Sequence, residues 1–278
     1  MTPLLALLAF AHAATWESAT ASTIGPTAEW SNKVELADLD GDGWVDIVFA
    51  NGGDYSTPGS HEANRVFLNG GPGAAFVEAT STILPTPDLT RVIKARDLDG
   101  DGHVDLVVGG AYGTQTKLFL GDGTGGYTDA TAQLPALNLS VGDLEVGDVD
   151  DDGDLDLVLA DWGPGNALSN AGGITNLWLN DGTGSFTDVT AAQMPALPVK
   201  FSWDMELLDV DNDYDLDVLV SCKSCNGSFL FHNDGTGSFT DASALLPRYG
   251  NNYEFEPLDY NGDGYLDLVT INDGPNLG

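Results

Sequence analysis

The chain has 278 residues, of which 42% are hydrophobic and 35 are glycine. This much glycine argues against long helices, while the length suffices for a large core. The 43 acidic residues against 9 basic ones give a net charge of −34, which argues against nucleic acid and anionic membranes as partners, because both are bound through basic patches.

An apolar run opens the chain and ends in Ala11-His12-Ala13, a small-x-small cleavage pattern. The run is too short to span a membrane, so residues 1–13 are predicted to be a secretory signal. The protein is therefore expected outside the cell, either free or held at the cell surface by regions beyond this sequence. No later segment is long and apolar enough to span a bilayer.

An Asp-rich loop occurs five times, at residues 38–46, 97–105, 148–156, 209–217 and 259–267. Aspartate or asparagine stands at positions 1, 3, 5 and 9 of each copy. Oxygens at this spacing in a tight loop can surround one hard cation. Calcium fits best, because it takes about six to eight oxygen ligands in irregular geometry. The five loops are thus predicted to hold up to five calcium ions.

The predicted ligands are the side chains at positions 1, 3, 5 and 9 and the backbone carbonyl at position 7. The side-chain ligands are Asp38, Asp40, Asp42, Asp46, Asp97, Asp99, Asp101, Asp105, Asp148, Asp150, Asp152, Asp156, Asp209, Asp211, Asp213, Asp217, Asp259, Asn261, Asp263 and Asp267. The carbonyl ligands belong to Trp44, His103, Asp154, Asp215 and Tyr265. Tyr214 replaces the glycine at position 6 of the loop at 209–217 and predicts a distorted or weak site, because a tyrosine resists positive φ. Asn261 binds through a neutral oxygen.

EF-hands are excluded by the residues after each loop. An EF-hand needs a bidentate Glu at position 12 and a helix on each side of the loop. Strand-like residues flank every copy here, which also counts against dockerin-like modules. Position 12 is occupied by Phe49, Val108, Leu159, Val220 and Thr270.

Each loop belongs to a predicted set of four short strands, named A to D in chain order. An alternating segment such as 33–37 precedes the loop, and an apolar run such as 46–50 follows it. A third segment such as 176–180 leads into a glycine hairpin, and a fourth such as 76–80 begins with an aromatic residue. These patterns predict antiparallel strands. The loops recur every 50 to 61 residues, which suits one four-stranded propeller blade.

The Asp-x-Asp-x-Asp-Gly-x-x-Asp loops and the Asn-Asp-Gly-Thr-Gly-Ser-Phe-Thr-Asp hairpins between them resemble FG-GAP or VCBS repeats, the family that includes the N-terminal propeller of integrin α chains. The resemblance covers roughly residues 16–278. It implies an all-β domain over residues 14–278: a β-propeller of four-stranded antiparallel blades with calcium loops between strands A and B. Two arrangements are open. The five repeats could form a small, nearly closed ring, or, since the family usually forms seven-bladed rings, the chain could be a fragment of such a ring.

The two chain ends suggest how a ring would close. Residues 16–20 match the strand D pattern, although no strand A, B or C precedes them. The last repeat supplies strands A and B and stops at residues 276–278, where strand C would begin. The N-terminal strand is therefore expected to complete the last blade, which would remove an exposed sheet edge.

Antiparallel topology separates two kinds of loop. The Asp-rich loops and glycine hairpins share one end, and the longer, dissimilar B–C and D–A loops share the other. Irregular loops on a regular scaffold predict recognition, so this second end is predicted to bind a partner protein or a glycan. The alternative is that its aromatic residues only pack the loops. The candidate ligand-face residues are Tyr55, His61, Tyr112, Trp162 and Trp203.

Strand A carries a charged position three residues before each loop. Strand A is innermost in a propeller, so this position is expected to line an axial channel. Its side chains would form either a water-filled channel wall or a ring of carboxylates that holds a cation or a cationic ligand. The residues are Glu35, Lys94, Glu145, Glu206 and Glu256.

The only two cysteines, Cys222 and Cys225, lie three residues apart. A small-loop disulfide is predicted, because exported chains are exposed to oxidising conditions. A redox Cys-x-x-Cys would open a helix in a βαβ setting, and a zinc site would need a second pair of ligands; the sequence favours neither.

Taken together, these features predict a secreted, non-catalytic binding or adhesion module with structural calcium. No recognisable nucleophile–base set and no glycine-rich phosphate loop occurs. The alternative is an extracellular polysaccharide lyase or hydrolase built on a propeller. A lyase would need a base and a neutralising cation near one cleft. The basic residues near strand A or its entry are Arg91, Lys94, Arg96 and Lys200.

Overall fold

The computed structural model describes residues 24–25, 28–54, 56–164, 170–248 and 250–272. The predicted signal at 1–13, the predicted strand at 16–20, Tyr55 and the chain end at 276–278 lie outside these residues. Short strands dominate the described part, and none of its helices is long and apolar enough to cross a membrane. Its single-turn α-helices are Thr80–Ile83 and Thr190–Gln193, and its 3-10 turns are Thr131–Gln133 and Ser243–Leu245.

Four antiparallel sheets of four strands follow one another along the chain. Sheet 1 contains β1 (Ser31–Ala37), β2 (Asp46–Asn51), β3 (Arg65–Asn69) and β4 (Phe76–Glu78). Sheet 2 contains β5 (Thr90–Arg96), β6 (Asp105–Gly110), β8 (Lys117–Gly121) and β9 (Tyr127–Asp129). Sheet 3 contains β11 (Val141–Gly147), β12 (Asp156–Asp161), β13 (Thr175–Asn180) and β14 (Phe186–Asp188). Sheet 4 contains β15 (Met205–Leu208), β16 (Asp217–Val220), β17 (Phe229–Asn233) and β18 (Phe239–Asp241).

Two smaller antiparallel sheets complete the described strands. Sheet 5 pairs β19 (Asn252–Leu258) with β20 (Asp267–Asn272), and a short ribbon pairs β7 (Thr114–Gln115) with β10 (Asn138–Leu139). The predicted all-β architecture with four-stranded antiparallel units is therefore confirmed. In all five main sheets the Asp-rich loop joins the first strand to the second, as the sequence predicted.

The core lies between successive sheets. Leu118 of sheet 2 packs in one cluster with Leu159 and Trp178 of sheet 3, and sheets 1 and 2, 3 and 4, and 4 and 5 share similar clusters. Every residue of β6 is buried, because neighbouring sheets cover both of its faces. Sheets 1 and 5, the first and last along the chain, each keep a face that no described residue covers. Leu36 of sheet 1 is 59% exposed there, and Ile271 of sheet 5 is 55% exposed.

Charged side chains connect the first strands of different sheets. Lys33 of β1 forms an ion pair with the buried Asp143 of β11, which also accepts the N–H of Met205 in β15 at 2.9 Å. Asp204, just before β15, likewise accepts the N–H of Phe255 in β19 at 2.9 Å. The first strands of sheets 1, 3, 4 and 5 are therefore drawn together by side-chain carboxylates.

The predicted charged position three residues before each loop lies in the same region. Glu35 pairs with Arg96 at 2.8 Å, and Lys94 pairs with Glu145 at 2.5 Å, so basic side chains of the chain itself neutralise two of its carboxylates. Burial and the neighbouring Asp204 and Glu145 raise the pKa of Glu206 to about 7. Glu256 is exposed.

A second set of contacts joins the loops of sheets 1, 2 and 3 to the following sheet. Asn180 at the end of β13 donates to the carbonyl of Leu98 in the loop of sheet 2 at 2.8 Å, and to that of Leu155 in its own loop at 3.0 Å. Asn233 in sheet 4 repeats this arrangement with the loop of sheet 3. Sheet 2 has Gly121 at the equivalent position, and there the hydroxyl of Tyr127 donates to the carbonyl of Leu39 instead. Position 2 of the loop in sheets 1, 2 and 3 thus accepts a hydrogen bond from the following sheet.

Replacing Asn180 with alanine should lower the free energy of unfolding by about 1–3 kcal/mol, because two carbonyl groups lose their donor. Urea unfolding of the full chain measures the change. Asn69→Ala is the matched control, since Asn69 donates to Val45 of its own loop. Equal losses in the two variants would contradict a role for Asn180 in joining the sheets.

Glu206→Gln should raise the melting temperature at pH 8 and change it little at pH 4.5. The pKa of Glu206 is raised from 4.5 in the unfolded chain to about 7 in the folded one. Its ionisation therefore lowers the free energy of unfolding, fully above pH 7, and this loss shrinks to nothing as the pH falls from 7 to 4.5. Lys94 and Asp143 also act on this carboxyl group, and both remain in the variant. The exposed Glu256→Gln is the control; the prediction fails if both variants melt like the wild type at pH 8.

Candidate functional site

The Asp-rich loops are closed by their own aspartates. In the loop of sheet 1, Asp38 at position 1 accepts the N–H groups of Asp42 and Gly43 at 3.1 and 2.8 Å, and Asp42 accepts the N–H of Trp44 at 2.9 Å. The other loops repeat two of these bonds. The carboxylate at position 1 accepts the N–H of position 6, and the carboxylate at position 5 accepts the N–H of position 7. The carboxylates at positions 1 and 5 are thereby held against the backbone of the loop.

Several of these aspartates come close enough to share one ion. In four loops, one ligand atom from each of three acidic residues lies within 4.8 Å of the others. In the fifth loop, the N–H of Asp263 lies 3.0 Å from Asp259 Oδ1 and 2.9 Å from Asn261 Oδ1. The groups are Asp38, Asp40 and Asp42; Asp97, Asp99 and Asp101; Asp148, Asp150 and Asp156; and Asp209, Asp211 and Asp213.

The aspartate at position 9 has an additional role that the sequence analysis missed. Asp156 begins β12, is 1% exposed, and accepts the N–H of Val149 in the loop at 3.1 Å and that of Asn180 in β13 at 2.8 Å. Asp46, Asp105 and Asp217 make the equivalent pairs of bonds. This side chain therefore ties the loop to the third strand of its sheet.

The loop of sheet 3 fits a hard dication. Among the described residues, Asp148 Oδ1 and Asp150 Oδ1 are buried and have no hydrogen-bond partner, which is costly for carboxylate oxygens unless a cation lies against them. Burial raises the pKa of Asp156 to about 7, while the hydrogen bonds from Asn180 and Val149 oppose this shift. Oxygen donors gathered in a flexible loop are the ligand set that calcium prefers.

The loop of sheet 4 keeps the common backbone shape despite its tyrosine. Tyr214 has φ +78°, close to the φ of +89° at Gly43 in the same position of the first loop. The tyrosine therefore adopts the left-handed conformation at a steric cost that glycine avoids. A further difference was missed from sequence: His232 of β17 lies against this loop, with Nε2 2.6 Å from Asp211 Oδ2. Asp211 raises the pKa of His232.

The opposite end of the sheets carries a cleft of about 550 Å³. It lies between loops of sheets 1, 2 and 3 and combines an aromatic ring with polar groups. Asp161 accepts the N–H groups of Ser140 and Gly163 through Oδ1, at 2.8 and 2.9 Å. The lining residues include Thr57, Pro58, Tyr112, Asn138, Ser140 and Asp161.

The described ligand-face candidates occupy three different environments. Tyr112 lines the cleft, has φ +59°, and donates its hydroxyl to the carbonyl of Asp54. His61 is largely exposed and lies outside the cleft lining, 3.8 Å from Asp88. Trp162 is only 2% exposed, and its ring packs 5.6 Å from that of Trp203. Tyr112 can therefore contact a ligand in the cleft, whereas the buried Trp162 offers almost no surface to one.

An arginine packs against both tryptophans, of which Trp162 is buried and Trp203 is partly buried. The guanidinium of Arg91 lies 4.9 Å from the ring centre of Trp162 and 4.7 Å from that of Trp203, and donates to Asn32 Oδ1 at 2.7 Å. Such cation–π contacts stabilise a desolvated guanidinium. Elsewhere at this end, the structure records a disulfide between Cys222 and Cys225.

Comparison with solved structures shows similarity of fold. A lectin from Agrocybe aegerita, whose structure is described as the basis of specific recognition of non-reducing terminal N-acetylglucosamine, shares 19% identity over 86% of this chain and 60% of its own, with a TM-score of 0.53. The V. cholerae biofilm matrix protein Bap1 shares 17% identity over 88% and 36% (TM-score 0.49), and the exotype rhamnogalacturonan lyase YesX shares 14% over 87% and 53% (TM-score 0.44). The chain thus spans less than two thirds of each of these proteins. No curated protein matches it.

The family comparison agrees with the repeat seen in the sheets. A model described as the FG-GAP-like repeat matches residues 38–108, 97–159 and 209–270. Each matched segment begins at position 1 of an Asp-rich loop, and together they cover more than half of the chain. The resemblance drawn from the loops and hairpins is therefore confirmed, and the chain belongs to the FG-GAP-like repeat family.

Proposed function

We propose that this chain is a secreted, non-catalytic binding module of the β-propeller type, which uses its cleft to bind a glycan or a protein and its Asp-rich loops to hold structural calcium. The observation that carries the proposal is the cleft at the end of the sheets opposite the Asp-rich loops. Tyr112 and Pro58 provide apolar surface there, and Asn138 and Asp161 provide hydrogen-bonding groups. A few polar groups in a partly apolar cleft are typical of ligand sites.

The cleft suits binding better than an elimination reaction. Among its described lining residues, Asp161 is the one carboxylate, and none is His, Lys or Arg. A polysaccharide lyase needs a base and a cation that neutralises the developing negative charge. All three basic residues of β5 in sheet 2 are already engaged: Arg91 by the tryptophan rings, Lys94 by Glu145 and Arg96 by Glu35. These contacts support a binding role.

Calcium would act by removing charge repulsion and joining elements. The loop of sheet 3 brings Asp148, Asp150 and Asp156 together, and like charges at this distance repel one another. An ion bound to the folded chain alone stabilises it by mass action, by about 1.4 kcal/mol per site at ten times the dissociation constant. Several such sites approach the whole stability of a typical domain, about 5–15 kcal/mol.

Chelation with EDTA should lower the melting temperature sharply, and calcium should restore it better than magnesium, because magnesium demands near-octahedral geometry. Asp150→Asn should reduce the calcium-dependent part of the stability by about 1–2 kcal/mol. Asp151→Asn is the matched control: Asp151 lies at position 4 of the same loop with φ +60°, a conformation that asparagine tolerates. Calorimetry with and without calcium measures both. An unchanged melt after thorough chelation would refute structural calcium.

Replacing Tyr112 with asparagine should weaken ligand binding at least tenfold, about 1.4 kcal/mol, because it removes the aromatic surface while asparagine accepts the positive φ of this residue. A glycan array that includes glycans ending in N-acetylglucosamine, together with a panel of extracellular matrix proteins, supplies the ligand. Asp161→Asn tests the carboxylate and keeps Oδ1 as acceptor. His61→Ala, outside the cleft lining, is the control. Equal binding by wild type and Tyr112→Asn would exclude the cleft, and release of unsaturated ends from a glycan would favour the lyase.

A further inference from the structure

The loop of sheet 4 differs from the other Asp-rich loops in the residue that faces it. Register places His232 of β17 opposite Asp217, one residue beyond the pair formed by Val218 and Phe231. In sheets 1, 2 and 3, the residue of the third strand that lies opposite the aspartate at position 9 is aliphatic. Those residues are Leu68, Leu120 and Leu179.

The imidazole reaches into the group of loop carboxylates. His232 Nε2 lies 2.6 Å from Asp211 Oδ2 and 4.0 Å from Asp213 Oδ2. One ligand atom from each of Asp211, Asp217 and His232 lies within 4.8 Å of the others. The side chain of His232 is 34% exposed, so an ion can reach it from solvent. Among the described acidic groups that could hold a metal, this is the one that contains a nitrogen donor.

A nitrogen donor changes which ion the loop prefers. Calcium binds through oxygen, whereas imidazole suits zinc, copper, nickel and cobalt. Zinc takes histidine nitrogen at about 2.0–2.1 Å and carboxylate oxygen at about 2.0–2.2 Å. Two ligands of a tetrahedral zinc ion are therefore about 3.4 Å apart. The donor atoms of Asp211 and His232 need to separate by less than about 1 Å to reach that spacing.

The histidine does not by itself neutralise the loop. Even a protonated imidazole supplies one positive charge, and the aspartates at positions 1, 3, 5 and 9 of this loop supply four negative ones, so a net negative charge remains to attract a dication. Tyr214 does not prevent binding through the backbone, because the loop keeps the φ angle found at glycine in the other copies. The aspartates in question are Asp209, Asp211, Asp213 and Asp217.

We propose that the loop of sheet 4 and His232 form a site for a first-row transition-metal dication, with zinc as its probe, while the remaining Asp-rich loops bind calcium. Asp211, Asp217 and His232 would supply the ligands, and solvent would complete the coordination. The site is separate from the cleft at the opposite end of the sheets, so it can be tested independently of the proposed glycan or protein binding.

The test titrates zinc chloride into the full chain in the presence of saturating calcium, followed by isothermal titration calorimetry and by native mass spectrometry to count ions. The wild type should bind one zinc ion. His232→Leu, which copies the leucine of sheets 1–3, should bind zinc at least tenfold more weakly. His61→Leu is the matched control, because His61 also lies near a carboxylate, 3.8 Å from Asp88, but stands outside the Asp-rich loops and should leave zinc affinity unchanged.

A gain-of-site variant guards against a variant that fails to fold. Leu179→His places an imidazole opposite Asp156 in sheet 3 and should add a second zinc ion. With cobalt as a spectroscopic probe, the wild type should develop visible absorption bands that His232→Leu lacks. Zinc affinities within twofold of each other in the wild type and His232→Leu, or calcium but no zinc on this loop, would overturn the proposal. Circular dichroism melts establish that each variant is folded.

Discussion

Four of the described sheets bury one aspartate at the first residue of the second strand, and the geometry of the loops depends on it. Asp46, Asp105, Asp156 and Asp217 each accept one N–H from the loop and one from the end of the third strand. A carboxylate removed from water needs such donors to stay in place. By binding both neighbours at once, it sets the position of the loop relative to its sheet.

In sheets 1, 2 and 3 these loops also connect their sheet to the next one. Their second residue accepts a hydrogen bond from Tyr127, Asn180 or Asn233 of the following sheet, and the loop of sheet 1 packs against the hairpin of sheet 2, where a Cβ on Gly41 would lie 2.5 Å from the carbonyl oxygen of Gly123. A dication bound within the loop would therefore stabilise the junction between sheets as well as the turn. Such a dication would also offset the repulsion between the aspartates of this acidic chain.

The two ends of the sheets differ in how much their residues vary. At the loop end the same bonds recur in sheet after sheet, and His232 is the clearest exception. At the other end, the contacts of the described residues differ from sheet to sheet: Tyr112 donates to Asp54, whereas Arg91 packs against Trp162 and Trp203. Repeated contacts suit a scaffold, and singular ones suit recognition. The proposed function follows this division.

The sequence alone determined the strand order, the position of the Asp-rich loops between first and second strands, and the family, because these depend on local spacing, turn residues and alternation. It could not separate Tyr112, which lines a cleft, from Trp162, which is buried, since both are aromatic residues in irregular loops. It also missed the second role of Asp156, the bridging by Asn180 and the approach of His232 to Asp211. Each of these pairs residues from different strands or sheets, and only the tertiary structure decides such pairs, because register and sheet packing bring together side chains that are distant in sequence.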